Sequence, residues 1–72
     1  VEEETQRQLR EKIQNLNKEA GSLYRNKNYD EATAKFKEAL GLGPENRVAL
    51  RYLKLIPQKV EQERQKKLEA EQ

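Results

Sequence analysis

This chain of 72 residues contains no cysteine, histidine or tryptophan and no long apolar run. Without cysteine it forms neither a disulfide nor a thiolate zinc site, so neither can support the fold. Without histidine or cysteine it also lacks the side chains that most often act as bases and nucleophiles near neutral pH. No apolar segment reaches the length of a membrane span or a signal-peptide core. We therefore expect no enzymatic activity, no cofactor or metal, and no membrane partner.

The charged residues are numerous but nearly balanced, with 15 Lys and Arg against 13 Asp and Glu. The two signs alternate along the sequence, which is typical of a solvated helix surface and not of the basic face of a nucleic-acid binder. Only 33% of the residues are apolar, and such a thin core is marginal for a short chain that neither binds a partner nor associates. We therefore expect no nucleic-acid partner, and we expect a cytoplasmic location.

The first part of the chain has the periodicity of one amphipathic helix. Its apolar residues recur at steps of four and three, at Leu9, Ile13, Leu16, Ala20 and Leu23. No proline or glycine precedes Gly21, so we predict a helix over residues 3–26. Residues 2–12 are polar except for Leu9, and this part is either a solvated extension or half of a coiled coil with another chain.

A second helix is predicted over residues 29–42, after an asparagine-containing break at 26–28. Asn28 and Glu31 have the spacing of a capping box at its start. Gly41 and Gly43 are expected to end it, because glycine accepts the left-handed conformation of a helix C-cap. The predicted buried face consists of Ala32, Phe36, Ala39 and Leu40.

A third helix is predicted to begin near Pro44, where a first-turn proline loses no hydrogen bond, and to continue as far as Gln72. Pro57 lies inside this stretch and either kinks or divides the helix. The polar end of the helix is expected to project into solvent or to fray. The predicted buried stripe consists of Ala49, Leu50, Leu53, Ile56 and Val60. The fold class predicted is all-α: a helical hairpin and a long C-terminal helix.

The segment Ile13–Asn46 resembles the tetratricopeptide repeat (TPR) family of helical hairpins. Small, aromatic and terminating positions of the family are matched by Ala20, Ala32, Phe36, Ala39 and Pro44. The resemblance implies an N-terminal helical extension (1–12), a TPR-like hairpin (13–46) and a capping helix with a charged tail (47–72). One repeat and a cap fall below the roughly three repeats that such arrays need. The sequence therefore leaves two alternatives: the chain associates with itself, or further repeats lie outside this sequence.

In this family the first helix of each pair lines a concave groove, so the resemblance implies a scaffold that binds a peptide or partner protein there. The matching positions are Asn17, Lys18, Gly21, Tyr24, Arg25, Arg51, Tyr52 and Leu55, with Val48 beside them. The cations would attract an acidic peptide and the tyrosines would cover an apolar side chain. Co-chaperone members clamp acidic chaperone tails with a Lys and an Asn, and this clamp is not matched because Asn17 and Gly21 occupy those positions.

Other interpretations compete with the groove. These residues are ordinary solvated side chains if the partner binds elsewhere. The chain is instead a structural self-assembly element if its long helices form homo-oligomers or stack on neighbouring repeats. A three-helix trafficking domain that binds amphipathic helices is a weaker alternative, because the ending at residues 41–44 does not fit it.

Overall fold

The computed structural model describes residues 2–71, and the side chains of residues 3–70 within them. Three helices follow one another: α1 (Glu2–Arg25), α2 (Tyr29–Leu42) and α3 (Arg47–Glu71). This part of the chain contains no strand, so the predicted all-α class with a helical hairpin and a long third helix is confirmed. Helix α2 packs against both others, whereas α1 and α3 touch along one edge only. Gln72, predicted to end the third helix, lies outside the described residues.

The core is formed mainly by small residues around one aromatic ring. Leu16 and Ala20 of α1 and Ala32, Phe36 and Ala39 of α2 are buried, as predicted. Phe36 is the one large side chain among the described residues that is completely buried. Alanines beside it allow the helix backbones to approach closely, and close packing makes each of these positions sensitive to added volume.

The buried stripe predicted for α3 is only partly right. Ile56 and Ala49 are buried, whereas Leu50 and Val60 remain 45% and 43% exposed. Helix α2 covers one strip of α3, and no other described helix packs on the side where Leu50 lies. Tyr52 completes the covered strip by packing against the core cluster.

Leu9, predicted to belong to the apolar seam of α1, is 39% exposed. The end of α2 meets α1 at Ile13, since Gly43 lies against the Ile13 side chain. Leu9 lies one turn before that contact, so α2 does not extend far enough to cover it.

The four aromatic residues of the chain form one continuous line of ring contacts that joins the three helices. Tyr29 and Tyr24 are in edge contact with centroids 5.7 Å apart, and Tyr24 and Tyr52 are in edge contact at 5.1 Å. Tyr52 then stacks on Phe36 at 4.7 Å, with only 9° between the ring planes. Aromatic pairs of this kind contribute about 0.5–1.5 kcal/mol each beyond the area they bury.

Helix α1 ends in a Schellman motif. The N–H of Asn28 donates to the carbonyl of Leu23 (2.8 Å), and the N–H of Lys27 donates to that of Tyr24 (3.0 Å). Lys27 has the left-handed φ of 66°, which costs a non-glycine residue about 1–2 kcal/mol. The predicted capping box is wrong, because the Asn28 side chain forms no cap hydrogen bond. The ψ of Asn28 is 67°, outside the extended conformation that a capping side chain requires.

The glycines near the end of α2 act differently from the prediction. Gly41 lies inside α2, and Gly43 at the C-cap has extended angles, φ −143° and ψ 92°, instead of left-handed ones. The need for glycine at position 43 is steric, since a Cβ there would lie 2.9 Å from Cδ1 of Ile13. This close approach brings the end of α2 against α1.

Pro44 does not open the third helix, because it lies in the turn before it and α3 begins at Arg47. Asn46 caps α3 instead: its Oδ1 accepts a hydrogen bond from the N–H of Ala49 at 3.2 Å. A side-chain oxygen at this position satisfies one of the free N–H groups of a first turn, which proline cannot do. Helix α3 then continues through Pro57 without division.

The molecule is elongated, with extents of 61 × 18 × 12 Å and a radius of gyration of 15.1 Å. A compact domain of this length would have a radius of gyration of about 11 Å. One end of α2 lies beside Ile13 of α1, and the other end, at Tyr29, bonds to Glu63 of α3. The beginning of α1 and the end of α3 therefore project beyond α2 in opposite directions.

Candidate functional site

An open groove of about 860 Å³ lies between α1 and α3. Helix α3 supplies most of its lining from one face, and α1 supplies a single tyrosine. The lining consists of Tyr24, Arg47, Val48, Arg51, Tyr52 and Leu55. The positions from α3 recur at steps of about four residues, so one helix face presents all of them.

The groove combines an apolar base with two cations. Val48 and Leu55 are 46% and 39% exposed, and Tyr52 is held in place by its stacking on Phe36. Arg47 and Arg51 lie one helical turn apart and are both exposed. No carboxylate lines the groove. It therefore offers two guanidinium groups beside an apolar surface, which suits a ligand that carries both a carboxylate and an apolar side chain.

The structure brings Tyr24, Arg51, Tyr52 and Leu55 together in this groove, together with Val48. Gly21 and Arg25 lie next to it on α1: a Cβ on Gly21 would be 3.6 Å from an Nη atom of Arg25. The Arg25 guanidinium thus lies over Gly21, outside the lining residues. Lys18 is exposed on α1 and does not line the groove.

Asn17, predicted to bind a partner, is instead engaged in hydrogen bonds within the protein. Its Oδ1 accepts a hydrogen bond from Nδ2 of Asn46 at 2.9 Å, and its Nδ2 donates to Oδ1 of Asn46 at 3.3 Å. Both groups of its amide are engaged, so Asn17 joins the middle of α1 to the residue that caps α3.

Arg47 is the groove residue that the sequence analysis missed. It occupies the first position of α3, one turn before Arg51. The signal was present, because the spacing of the two arginines places them on one helix face. The resemblance placed the start of the capping helix at this position but did not assign Arg47 to the groove.

A polar cluster joins the start of α2 to α3. The Tyr29 hydroxyl donates to Oε1 of Glu63 at 2.9 Å, and Nζ of Lys27 lies 3.6 Å from the same oxygen. Desolvation raises the pKa of Tyr29 above its usual value, and the hydrogen bond to Glu63, the charge of Glu63 and that of Tyr24 raise it further. These contacts position α3 and offer no reactive group.

An ion pair joins the surfaces of α1 and α2 on the side of Glu19. Glu19 is exposed, and its carboxylate lies 3.5 Å from Nζ of Lys35 on α2. Within residues 3–70 no group of three or more His, Cys, Asp or Glu side chains could hold a metal ion. None of the described helices is both long enough and apolar enough to cross a membrane.

Comparison with known proteins gave no match: no protein-family model, no curated protein and no solved structure matches the chain.

Proposed function

We propose that this chain is a protein-binding module whose groove between α1 and α3 takes an acidic peptide or an acidic segment of a partner protein. One observation carries the proposal: the groove unites Arg47 and Arg51 with exposed apolar side chains and contains no carboxylate. Arginine forms paired hydrogen bonds with carboxylates. The neighbouring apolar surface adds the contact that a purely ionic interaction lacks, since exposed ion pairs alone contribute little.

We further propose that the hairpin is of the tetratricopeptide type. The small residues Ala20 and Ala32 are fully buried, in keeping with a close approach of the two helices. Phe36 occupies the centre of the core at the aromatic position, and α3 covers the outer side of α2 as a capping helix would. In repeat proteins such a cap protects an apolar face that a single hairpin cannot bury.

Fluorescence anisotropy with a labelled peptide rich in glutamate and leucine tests the groove. We expect Arg51→Gln and Leu55→Ser each to weaken binding about fivefold or more. The first removes a guanidinium group that would bond to a carboxylate of the peptide, and the second removes an apolar contact. Lys37→Gln on the exposed side of α2 is the matched control for the loss of one positive charge, and it should leave binding unchanged. Equal affinity of all three variants and the wild type would show that the groove is not the binding surface.

Self-assembly is a second candidate function, and one observation favours it. Leu50, Val60 and Leu68 of α3 are 45%, 43% and 53% exposed, which leaves apolar surface available to another helix. Analytical ultracentrifugation of the full chain and of a chain starting at Glu11 tests this candidate. Monomers in both cases would exclude it, and an oligomer of the full chain alone would assign association to residues 1–10.

A further inference from the structure

Folding separates the charges that alternate along the sequence. The stretches that border the groove are residues 17–25 of α1 and 47–66 of α3, and they contain eight lysines and arginines against three glutamates. Six of these cations lie on the groove side of their helices: Lys18, Arg25, Arg47, Arg51, Lys59 and Lys66. All six are exposed, and none of them forms an ion pair with a carboxylate among residues 3–70.

None of the three glutamates of these stretches lines the groove, although Glu63 lies one turn from both Lys59 and Lys66 on α3. Glu19 pairs with Lys35 of α2, and Glu63 accepts the hydrogen bond of Tyr29. Glu61 is exposed on α3 and does not line the groove. Positive charge thus exceeds negative charge beside the groove of this nearly neutral chain, and such a surface attracts anionic ligands.

This positive surface is longer than the groove itself. Lys59 follows Leu55 by four residues and Lys66 follows Lys59 by seven, so the groove-side face of α3 continues beyond the apolar base. From Arg47 to Lys66 the helix rises by about 28 Å. An extended polypeptide covers that distance with about nine residues.

We propose that the ligand is an extended acidic polypeptide segment of about nine residues, which lies in the groove at one end and continues along α3 as far as Lys66. The inference rests on the proposed function of the groove and names its substrate class. It distinguishes a long acidic tract from a short carboxy-terminal peptide, which would contact Arg47 and Arg51 alone.

The aromatic contacts favour a polypeptide over a single-stranded nucleic acid. Nucleic acids bound without duplex structure stack their bases on open aromatic faces. Tyr52 has one face covered by Phe36, and Tyr24 is in edge contact with both Tyr52 and Tyr29. The apolar side chains that do remain exposed in the groove, Val48 and Leu55, suit aliphatic side chains instead.

A length series of labelled glutamate-rich peptides tests the inference on the full chain. Peptides of about four, nine and fourteen residues are compared by fluorescence anisotropy at low and at high salt. We expect about tenfold tighter binding of the nine-residue than of the four-residue peptide, no further gain for the longest one, and a loss of the gain at high salt. Equal affinity of the short and long peptides would overturn the inference.

Two matched double variants locate the added contacts. Lys59→Gln with Lys66→Gln removes two positive charges from the proposed extension. Lys12→Gln with Lys37→Gln removes two from other exposed surfaces of α1 and α2. The first variant should bind the nine-residue peptide about three- to tenfold more weakly and the four-residue peptide unchanged, whereas the second should bind both like the wild type.

The outcomes separate the two proposals. If the Lys59 and Lys66 substitutions have no effect while Arg51→Gln still weakens the short peptide, the extension is wrong and the groove function stands. If no acidic peptide binds, both proposals fail. Tighter binding of a single-stranded oligonucleotide than of the nine-residue peptide at the same salt concentration would overturn the assignment to a polypeptide.

Discussion

Asn17 and Asn46, 29 positions apart in the sequence, exchange two amide hydrogen bonds of 2.9 and 3.3 Å. The Oδ1 atom of Asn46 also accepts the N–H of Ala49 and so caps α3. Because α1 and α3 share few other contacts, this pair determines where α3 begins relative to α1. It therefore also sets the position of Arg47, the first residue of α3, at the groove.

Removing either amide should destabilise the fold, and the two losses should not add. Asn46→Ala is expected to lower the free energy of unfolding by about 1–2 kcal/mol, because it removes a helix cap and leaves the Asn17 amide without its partner. Asn17→Ala should cost about 0.5–1.5 kcal/mol. Urea denaturation followed by circular dichroism measures both and the double variant. A double variant that loses the full sum would show that the two residues act independently.

The left-handed conformation of Lys27 predicts that Lys27→Gly will be more stable than Lys27→Ala. Both variants lose the ion pair with Glu63, whose atoms are 3.6 Å apart, but only glycine adopts a φ of 66° without strain. The expected difference is about 1 kcal/mol in favour of glycine. Thermal and urea unfolding of the two variants provide the comparison, and equal stability would mean that the Schellman turn does not strain Lys27.

Added volume at a buried alanine should be costly, whereas the same change on the exposed side of α2 should not. Ala32 is fully buried and Ala34 is exposed on the same helix. Ala32→Val is therefore expected to destabilise the protein by about 1–3 kcal/mol more than Ala34→Val, which carries only the lower helix propensity of valine. Urea denaturation measures the difference. Equal effects would indicate that α1 and α2 can separate to accept a larger residue.

The raised pKa of Tyr29 predicts a stability that declines in alkaline solution. A phenol whose pKa is higher in the folded than in the unfolded state contributes stability that is complete below its unfolded pKa of about 10 and is lost as the pH rises through the folded value. Tyr29→Phe should show a smaller alkaline decline, measured by urea unfolding between about pH 7 and 11. Glu63→Gln should shift the Tyr29 titration, followed by NMR, towards lower pH. An unchanged titration would mean that Glu63 does not influence the phenol.

The sequence predicted the helices and the inner faces of α1 and α2 because those features depend on local periodicity. Leu16, Ala20, Ala32 and Phe36 recur at helical spacing, and the hairpin brings the two stripes together. The ends of the elements were less predictable. An asparagine precedes α2 at position 28 and α3 at position 46, and the sequence suggests a helix cap at both. The backbone conformation of each asparagine decides whether its side chain reaches an N–H of the first turn, and only Asn46 does so.

Only part of the groove lining was predicted from the sequence. The resemblance to the tetratricopeptide family implied Tyr24, Arg51, Tyr52 and Leu55, and these four residues line the groove. The sequence did not predict the exposure of Leu50 or the separation of charges, because both depend on which side of α3 is covered by α2. The order of charges along the sequence does not show that Glu19 pairs with Lys35 and that Glu63 bonds to Tyr29.

The projection of α1 and α3 beyond α2 in opposite directions has a practical consequence for measuring mass. A rod 61 Å long and 18 Å wide tumbles and migrates like a heavier sphere, so a single chain will leave a gel-filtration column early, near the volume of a globular dimer. Its elution volume alone would therefore suggest association even if each particle were a single chain. Light scattering or sedimentation equilibrium, whose readouts do not depend on shape, is therefore the appropriate measure of how many chains this molecule contains.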